Sequence, residues 1–206
     1  MLRVTVPPQP IVTPAEVPGD HDMNDARIMA MIAAVTAEID GPTGWLGRAL
    51  GAQTLELRLE CWPCDQLRLP CPPVISVTSV KHFDADDVEQ TIDPANYGVS
   101  AGVLWFKSSW SRPALGCQPF PVTITYTAGY NGTAIASGGT GAVPAQVKQA
   151  IILSVQHMMS IARDDLFLKV DEVDGVGRQE WTVSEQAGNI IRSTADRLLQ
   201  GLRVFG

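Results

Sequence analysis

Residues 53–60 read Gln53-Thr54-Leu55-Glu56-Leu57-Arg58-Leu59-Glu60. Apolar and polar residues alternate strictly. In an extended chain successive side chains point to opposite faces, so Leu55, Leu57 and Leu59 share one face and Glu56, Arg58 and Glu60 the other. The stretch is a half-buried β-strand. On either side of it the periodicity changes. Upstream, Ile28, Ile32, Val35 and Ile39 recur at helical spacing after Asp22 and Asn24, either of which can cap a first turn. Downstream, Val147, Ile151, Val155, Met158 and Ala162 do the same after Val143-Pro144, up to about Arg163. The order is helix, β insert, helix, and the two apolar stripes are expected to pack together.

Further strands are expected at Gln66–Leu69, Val74–Phe83, Gln90–Ile92, Tyr97–Ser100, Val103–Phe106 and Val122–Thr127. Asp84, Asp86 and Asp87 lie in a turn, as does Ser100-Ala101-Gly102. Gly41-Pro42 ends the first helix, and Trp45, Leu46, Ala49 and Leu50 suggest a short second one. Residues 1–21 are Pro-rich and read as an extended arm. Residues 131–142 read as a flexible Gly-rich linker. Near the C-terminus, Gln179–Val183 suggests a strand, and Ser193-Thr194 suggests the cap of a terminal helix lined by Ala195, Leu198, Leu199 and Leu202. The expected class is α+β: a small helical bundle with an inserted antiparallel β region and an extended C-terminal tail. Its parts are an arm at 1–21, a body at 22–163 with the β insert at about 52–130, and a tail segment at 164–206.

The chain has 206 residues and a net charge of −7, and 45% of it is hydrophobic, enough for a core. The acidic balance argues against a free-standing nucleic-acid binder, which needs cations to displace phosphate counterions. No apolar run is long enough to span a bilayer, and residues 1–18 lack the apolar core of a secretory signal. Synthesis in the cytoplasm, with reduced thiols, is expected.

No catalytic constellation emerges, and no enzyme activity, metal or cofactor is expected. Cys61-Trp62-Pro63-Cys64 has the CxxC spacing of a redox or zinc site. It is not followed by a helix, and it has no second CxxC or HxxxH partner, although Cys71 with His82 or Cys117 could complete a ligand set. His21, His82 and His157 sit in an arm, a strand and a helix, outside any catalytic motif. The acidic run at 84–87 has neither the Gly nor the Glu of a calcium loop. Gly138-Gly139-Thr140-Gly141 lacks the Lys of a phosphate loop.

The order of segments resembles the head–tail connector (adaptor) proteins of tailed bacteriophages and gene transfer agents. The matching stretches are 45–50 (WLGRAL) with 53–57 (QTLEL), 67–70 (LRLP) with 72–81 (PPVISVTSVK), 88–97 (VEQTIDPANY), 122–130 (VTITYTAGY), 143–151 (VPAQVKQAI) and the ending 198–204 (LLQGLRV). The resemblance implies a structural virion protein in the neck. It would form a homo-oligomeric ring, commonly of twelve copies, between the portal protein and a stopper protein, with DNA passing through and no membrane partner. It implies portal binding by the tail, for which Leu198, Leu199, Leu202, Arg203, Val204 and Phe205 are the candidate residues. Asp84, Asp86 and Asp87 are candidates for an acidic, non-adhesive bore. The remaining alternatives are a β-rich tail or host-surface binding module and a Cys-dependent metal or redox protein.

Overall fold

The computed structural model describes residues 1–64, 66–163, 170–173, 177–180 and 185–204. The fold is α+β. Three helices and antiparallel strands divide into two compact units whose segments alternate along the chain. The β unit comprises residues 1–9, 39–143 and 203–206, and the helical unit residues 10–38 and 144–202.

The β unit is built on a five-stranded antiparallel sheet. Its strands are β1 (Leu2–Val6), β2 (Gln53–Leu59), β4 (Val74–Phe83), β5 (Glu89–Thr91) and β8 (Val122–Ala128), in the spatial order β1-β2-β8-β4-β5. β8 is central because its alternation is complete: Val122, Ile124, Tyr126 and Ala128 are buried, while Thr123, Thr125 and Thr127 face the half-covered side. Each large side chain so buried contributes roughly 1.5–3 kcal/mol. The register places Leu55 opposite Tyr126 and Leu57 opposite Ile124, which puts the leucine face of β2 on the core. A second sheet, β3-β7-β6, joins β3 (Leu67–Arg68), β6 (Tyr97–Ser100) and β7 (Val103–Phe106). It supplies Tyr97 and Leu104 to the same core.

The arm expected at residues 1–21 is divided between the two units. Its first residues form β1, paired with β2 through Leu2 opposite Leu57 and Val4 opposite Leu55. The Met1 ammonium donates to the Arg58 carbonyl at 2.8 Å. From Pro10 onward the chain belongs to the helical unit, where Ile11, Val12, Pro14 and Val17 are buried. The prolines stop regular structure without preventing burial.

The short helix expected at 45–50 is absent. Its amide groups are bonded elsewhere: Ala49 N–H to the Pro72 carbonyl at 3.2 Å, and Leu50 N–H to the Asp40 carboxylate at 2.7 Å. Gly44, Gly47 and Gly51 interrupt the stretch, and Gly47 has φ +63°. The segment at 131–142 is a bonded loop, not a linker. The Asn131 side-chain oxygen accepts from Thr133 N–H and Thr140 N–H, both at 3.1 Å, and the Thr140 hydroxyl donates to the Gly129 carbonyl at 2.7 Å. Backbone bonds add to these, Gly132 N–H to the Gly141 carbonyl at 2.9 Å and Gly141 N–H to the Thr133 carbonyl at 2.8 Å, and composition does not show such pairings.

In the helical unit, α1 (Ala26–Ile39) is capped by Asp25, whose carboxylate accepts from Arg27 N–H at 2.8 Å. Ile28, Ile32 and Ile39 are buried and Val35 is half-buried. α2 (Ala145–Arg163) buries Val147, Ile151 and Val155, whereas Met158 is exposed. α3 (Glu185–Gln200) lies alongside α2. Ser193 and Thr194 do not cap α3. They lie inside it, with their hydroxyls bonded back to the Ile190 carbonyl at 3.0 and 2.7 Å. A hairpin of β9 (Val170–Val173) and β10 (Gly177–Glu180) overlaps the strand expected at 179–183, and residues 181–184 lie outside the described residues.

Candidate interaction surfaces

The C-terminal residues proposed for partner binding fall into two groups. On α3, Ala195 and Leu199 are buried and Leu198 is half-buried, as is Leu202 just beyond it; Ile190 is the exposed apolar residue, at 64%. Beyond the helix, Arg203 and Val204 return to the β unit. The Val204 N–H donates to the Leu46 carbonyl at 2.9 Å, and the Arg203 guanidinium lies 6.0 Å from the centre of the Trp45 ring. That distance is within reach of a cation–π attraction. Gly47 makes room for this return, since a Cβ there would stand 3.1 Å from the Val204 carbonyl oxygen. Phe205 lies outside the described residues.

The acidic trio also divides. Asp84 is committed to its own turn: its carboxylate accepts from Asp86 N–H and Val88 N–H, each at 3.0 Å, and from the Gln90 amide at 2.9 Å. These bonds hold its carboxyl below the usual aspartate range, the Val88 amide having the largest effect. Asp86 and Asp87 are exposed on the same turn, Asp87 with φ +58°, which Asp tolerates better than most residues.

The CxxC segment supports an aromatic cluster. Trp62 packs edge-on against Phe106 and Trp110, with centroids 5.4 and 5.3 Å away, and tilted against His82 at 5.2 Å. Its indole N–H donates to the Pro113 carbonyl at 2.9 Å, while Arg112 donates to the Cys64 carbonyl at 2.7 Å. Cys61, Cys64 and Cys117 are exposed. Cys71 is buried, and burial pushes its thiol up to about 11, far from an activated thiolate. Among the described residues no three His, Cys, Asp or Glu side chains come together as a metal site. His82 is buried, and desolvation lowers its pKa, partly offset by Asp84. His21 bonds the Pro14 carbonyl at 2.9 Å. No helix among the described residues is long and apolar enough to cross a membrane.

Two features escaped the sequence reading. One is Asp40, a buried carboxylate that organises residues 40–53 by accepting from Leu50 N–H and, at 2.9 Å, from the Gln53 amide. No motif announces it; a lone Asp before Gly-Pro reads as a helix end. The other is the free edge at β1, where Val4 and Val6 are 40% and 55% exposed. Alternation of Leu2, Val4 and Val6 was the available signal, outweighed by the prolines that follow.

No protein-family model matches the sequence, and no curated protein does. Solved structures do match the fold. A chain in the virion of the native gene transfer agent particle aligns over 100% of this chain and 96% of its own, with TM-score 0.64 and 19% identity. A chain in the neck of the native particle, in C12 symmetry, aligns over the same shares with TM-score 0.62 and 20% identity. One in the neck of the empty particle, in C6 symmetry, aligns with TM-score 0.63 and 18% identity. The chain therefore has the fold of a chain found in gene transfer agent neck structures, over its whole length.

Proposed function

We propose that the protein is a structural virion component of the neck, a head–tail adaptor that forms a ring between portal and stopper. The observation carrying this reading is the end-to-end match, helices and β unit together, to chains in neck structures with C12 and C6 symmetry. Partial matches of one common subdomain would carry far less. On this reading the ring lies at the head–tail interface and has no enzymatic role. It passes DNA without holding it: twelve copies at −7 each bring 12 × −7 = −84 charges to one ring. Asp86 and Asp87 are the members of the acidic turn free to contribute to such a lining.

The tail remains the proposed portal anchor, with a refined boundary. Ala195 and Leu199 belong to the packing of α3, so the described residues offered for exchange are Arg203 and Val204 with the half-buried Leu198 and Leu202. Binding the portal would release Val204 from Leu46 and Arg203 from Trp45. The test is electron microscopy of the full chain with and without portal protein. Rings seated on the portal are expected, and deletion of 203–206 should abolish seating while circular dichroism is unchanged. Full-chain protein that never binds portal overturns the adaptor reading; seating by the deletion variant overturns the anchor alone.

A further inference from the structure

A ring of identical copies joined head to tail needs two different surfaces on each copy. The five-stranded sheet offers such a pair, since β1 is its outermost strand on one side and β5 on the other. We propose that neighbouring copies join these edges, β1 of one subunit adding in parallel to β5 of the next, so that the sheet continues around the ring. This inference rests on the ring reading above.

Three observations carry it. The first is direction. Every neighbouring pair in the sheet is antiparallel, and there are five strands, so β1 and β5 run the same way. In C12 symmetry adjacent copies differ by 360°/12 = 30°. Equivalent strands of adjacent copies therefore differ in direction by at most that angle. The two edges therefore have the polarity that parallel addition requires.

The second is exposure. Edge strands are normally protected by Lys, Pro or inward charge. β1 has no Lys or Pro within Leu2–Val6; its protection is limited to Arg3 and a register irregularity between Val4 and Val6, and Pro7 follows only after it ends. Its Val4 and Val6 are exposed, and so is Val88, beside β5, at 53%.

The third is charge. The β1 side carries Arg3, which bridges Glu56 at 2.9 Å while 48% exposed. The β5 side carries Asp86, Asp87 and Glu89, the last bridging Lys81 at 2.7 Å. Opposite signs on the two edges favour β1 against β5 and disfavour β1 against β1 or β5 against β5. The paired segment is about three residues long, set by β5, so the ladder fixes the register of the contact more than its strength.

The test uses full-length chains in which Cys61, Cys64 and Cys117 are replaced by Ser. One tagged chain carries Val4→Cys, and a differently tagged chain carries Glu89→Cys or Thr91→Cys. They are mixed, assembled into rings on portal protein and oxidised. Mixed-tag disulfide dimers at least tenfold above Val4→Cys homodimers are expected. Rings seen by electron microscopy with no mixed dimers overturn the edge pairing and leave the ring reading standing. Dominant Val4→Cys homodimers also overturn it, in favour of a twofold β1–β1 contact. A failure of unmodified chains to form rings on the portal overturns both. Independently, Val4→Lys with Val6→Lys should lose rings while the thermal melt of the free chain is unchanged; rings that persist overturn the pairing.

Discussion

Replacing Asp40 by Ala should destabilise the β unit by about 2–4 kcal/mol. The carboxylate is buried and serves two donors through one oxygen, Leu50 N–H at 2.7 Å and the Gln53 amide at 2.9 Å. Gly41 and Gly51 N–H also stabilise its charged form. A buried donor left without a partner costs roughly 1–3 kcal/mol, and truncation strands at least two. Water entering the vacated space recovers part of that, which keeps the expectation below the simple sum. Desolvation outweighs these bonds, so the carboxyl is held above the usual aspartate range. A raised folded-state pKa adds stability that is complete below the unfolded value, roughly 3.9, and is lost as pH rises through the folded value. Asp40→Asn should therefore cost less than Asp40→Ala and should remove that component of the pH dependence. The assay is urea unfolding followed by tryptophan fluorescence, which reports on the β unit through Trp45, Trp62, Trp105 and Trp110. At pH 7 a stability for Asp40→Ala within 0.5 kcal/mol of the unmodified chain (a bound set by roughly half the smallest single-donor cost) would refute the reasoning.

Other perturbations test the remaining framework. Glu56 bridges Arg3 at 2.9 Å and Arg58 at 2.6 Å, and these partners, Arg3 first, hold its carboxyl below the ordinary value against its own desolvation. Its contribution is present above the ordinary glutamate range and lost as pH falls through the lowered value. Glu56→Gln should cost about 0.5–1 kcal/mol at neutral pH, both arginines being partly exposed, and the gap between the two melting curves should close on acidification. Gly129→Ala should cost more than about 3 kcal/mol, because Gly129 has φ +116° and its Cβ would collide with the Gly51 carbonyl oxygen; soluble yield and melting temperature report it. Thr140→Val should open the 131–142 loop by removing its bonds to Gly129 and Asn131, read as faster cleavage at that loop in limited proteolysis with global stability within about 1 kcal/mol.

Much of the β unit could be read from local pattern. The alternation at 53–59, 74–83 and 122–128 marks strands because the side-chain period of an extended chain is two and one face meets the core. Nothing local said that β8 would sit between β2 and β4. That order pairs β8 with residues 63–75 positions away on β2 and 40–54 positions away on β4. The helices α1 and α2 were likewise legible from their stripes. Their partners were not, because a stripe shows that a face will be buried but not against what.

The candidate surfaces divide on the same line. The sequence alone determined the α+β class, the acidic charge, the absence of a recognisable catalytic motif and the chain order that resembles neck adaptors, since each depends on composition or on neighbours along the chain. Tertiary structure decided the rest. It made Asp84 a turn residue and left Asp86 and Asp87 to solvent; it buried Leu199 and tied Val204 to Leu46. It also turned the first six residues from a loose arm into the exposed edge of a sheet. The physical reason is common to all of them. Whether a side chain or a strand edge is available to a partner depends on what distant parts of the chain already cover, and that is set by packing rather than by pattern.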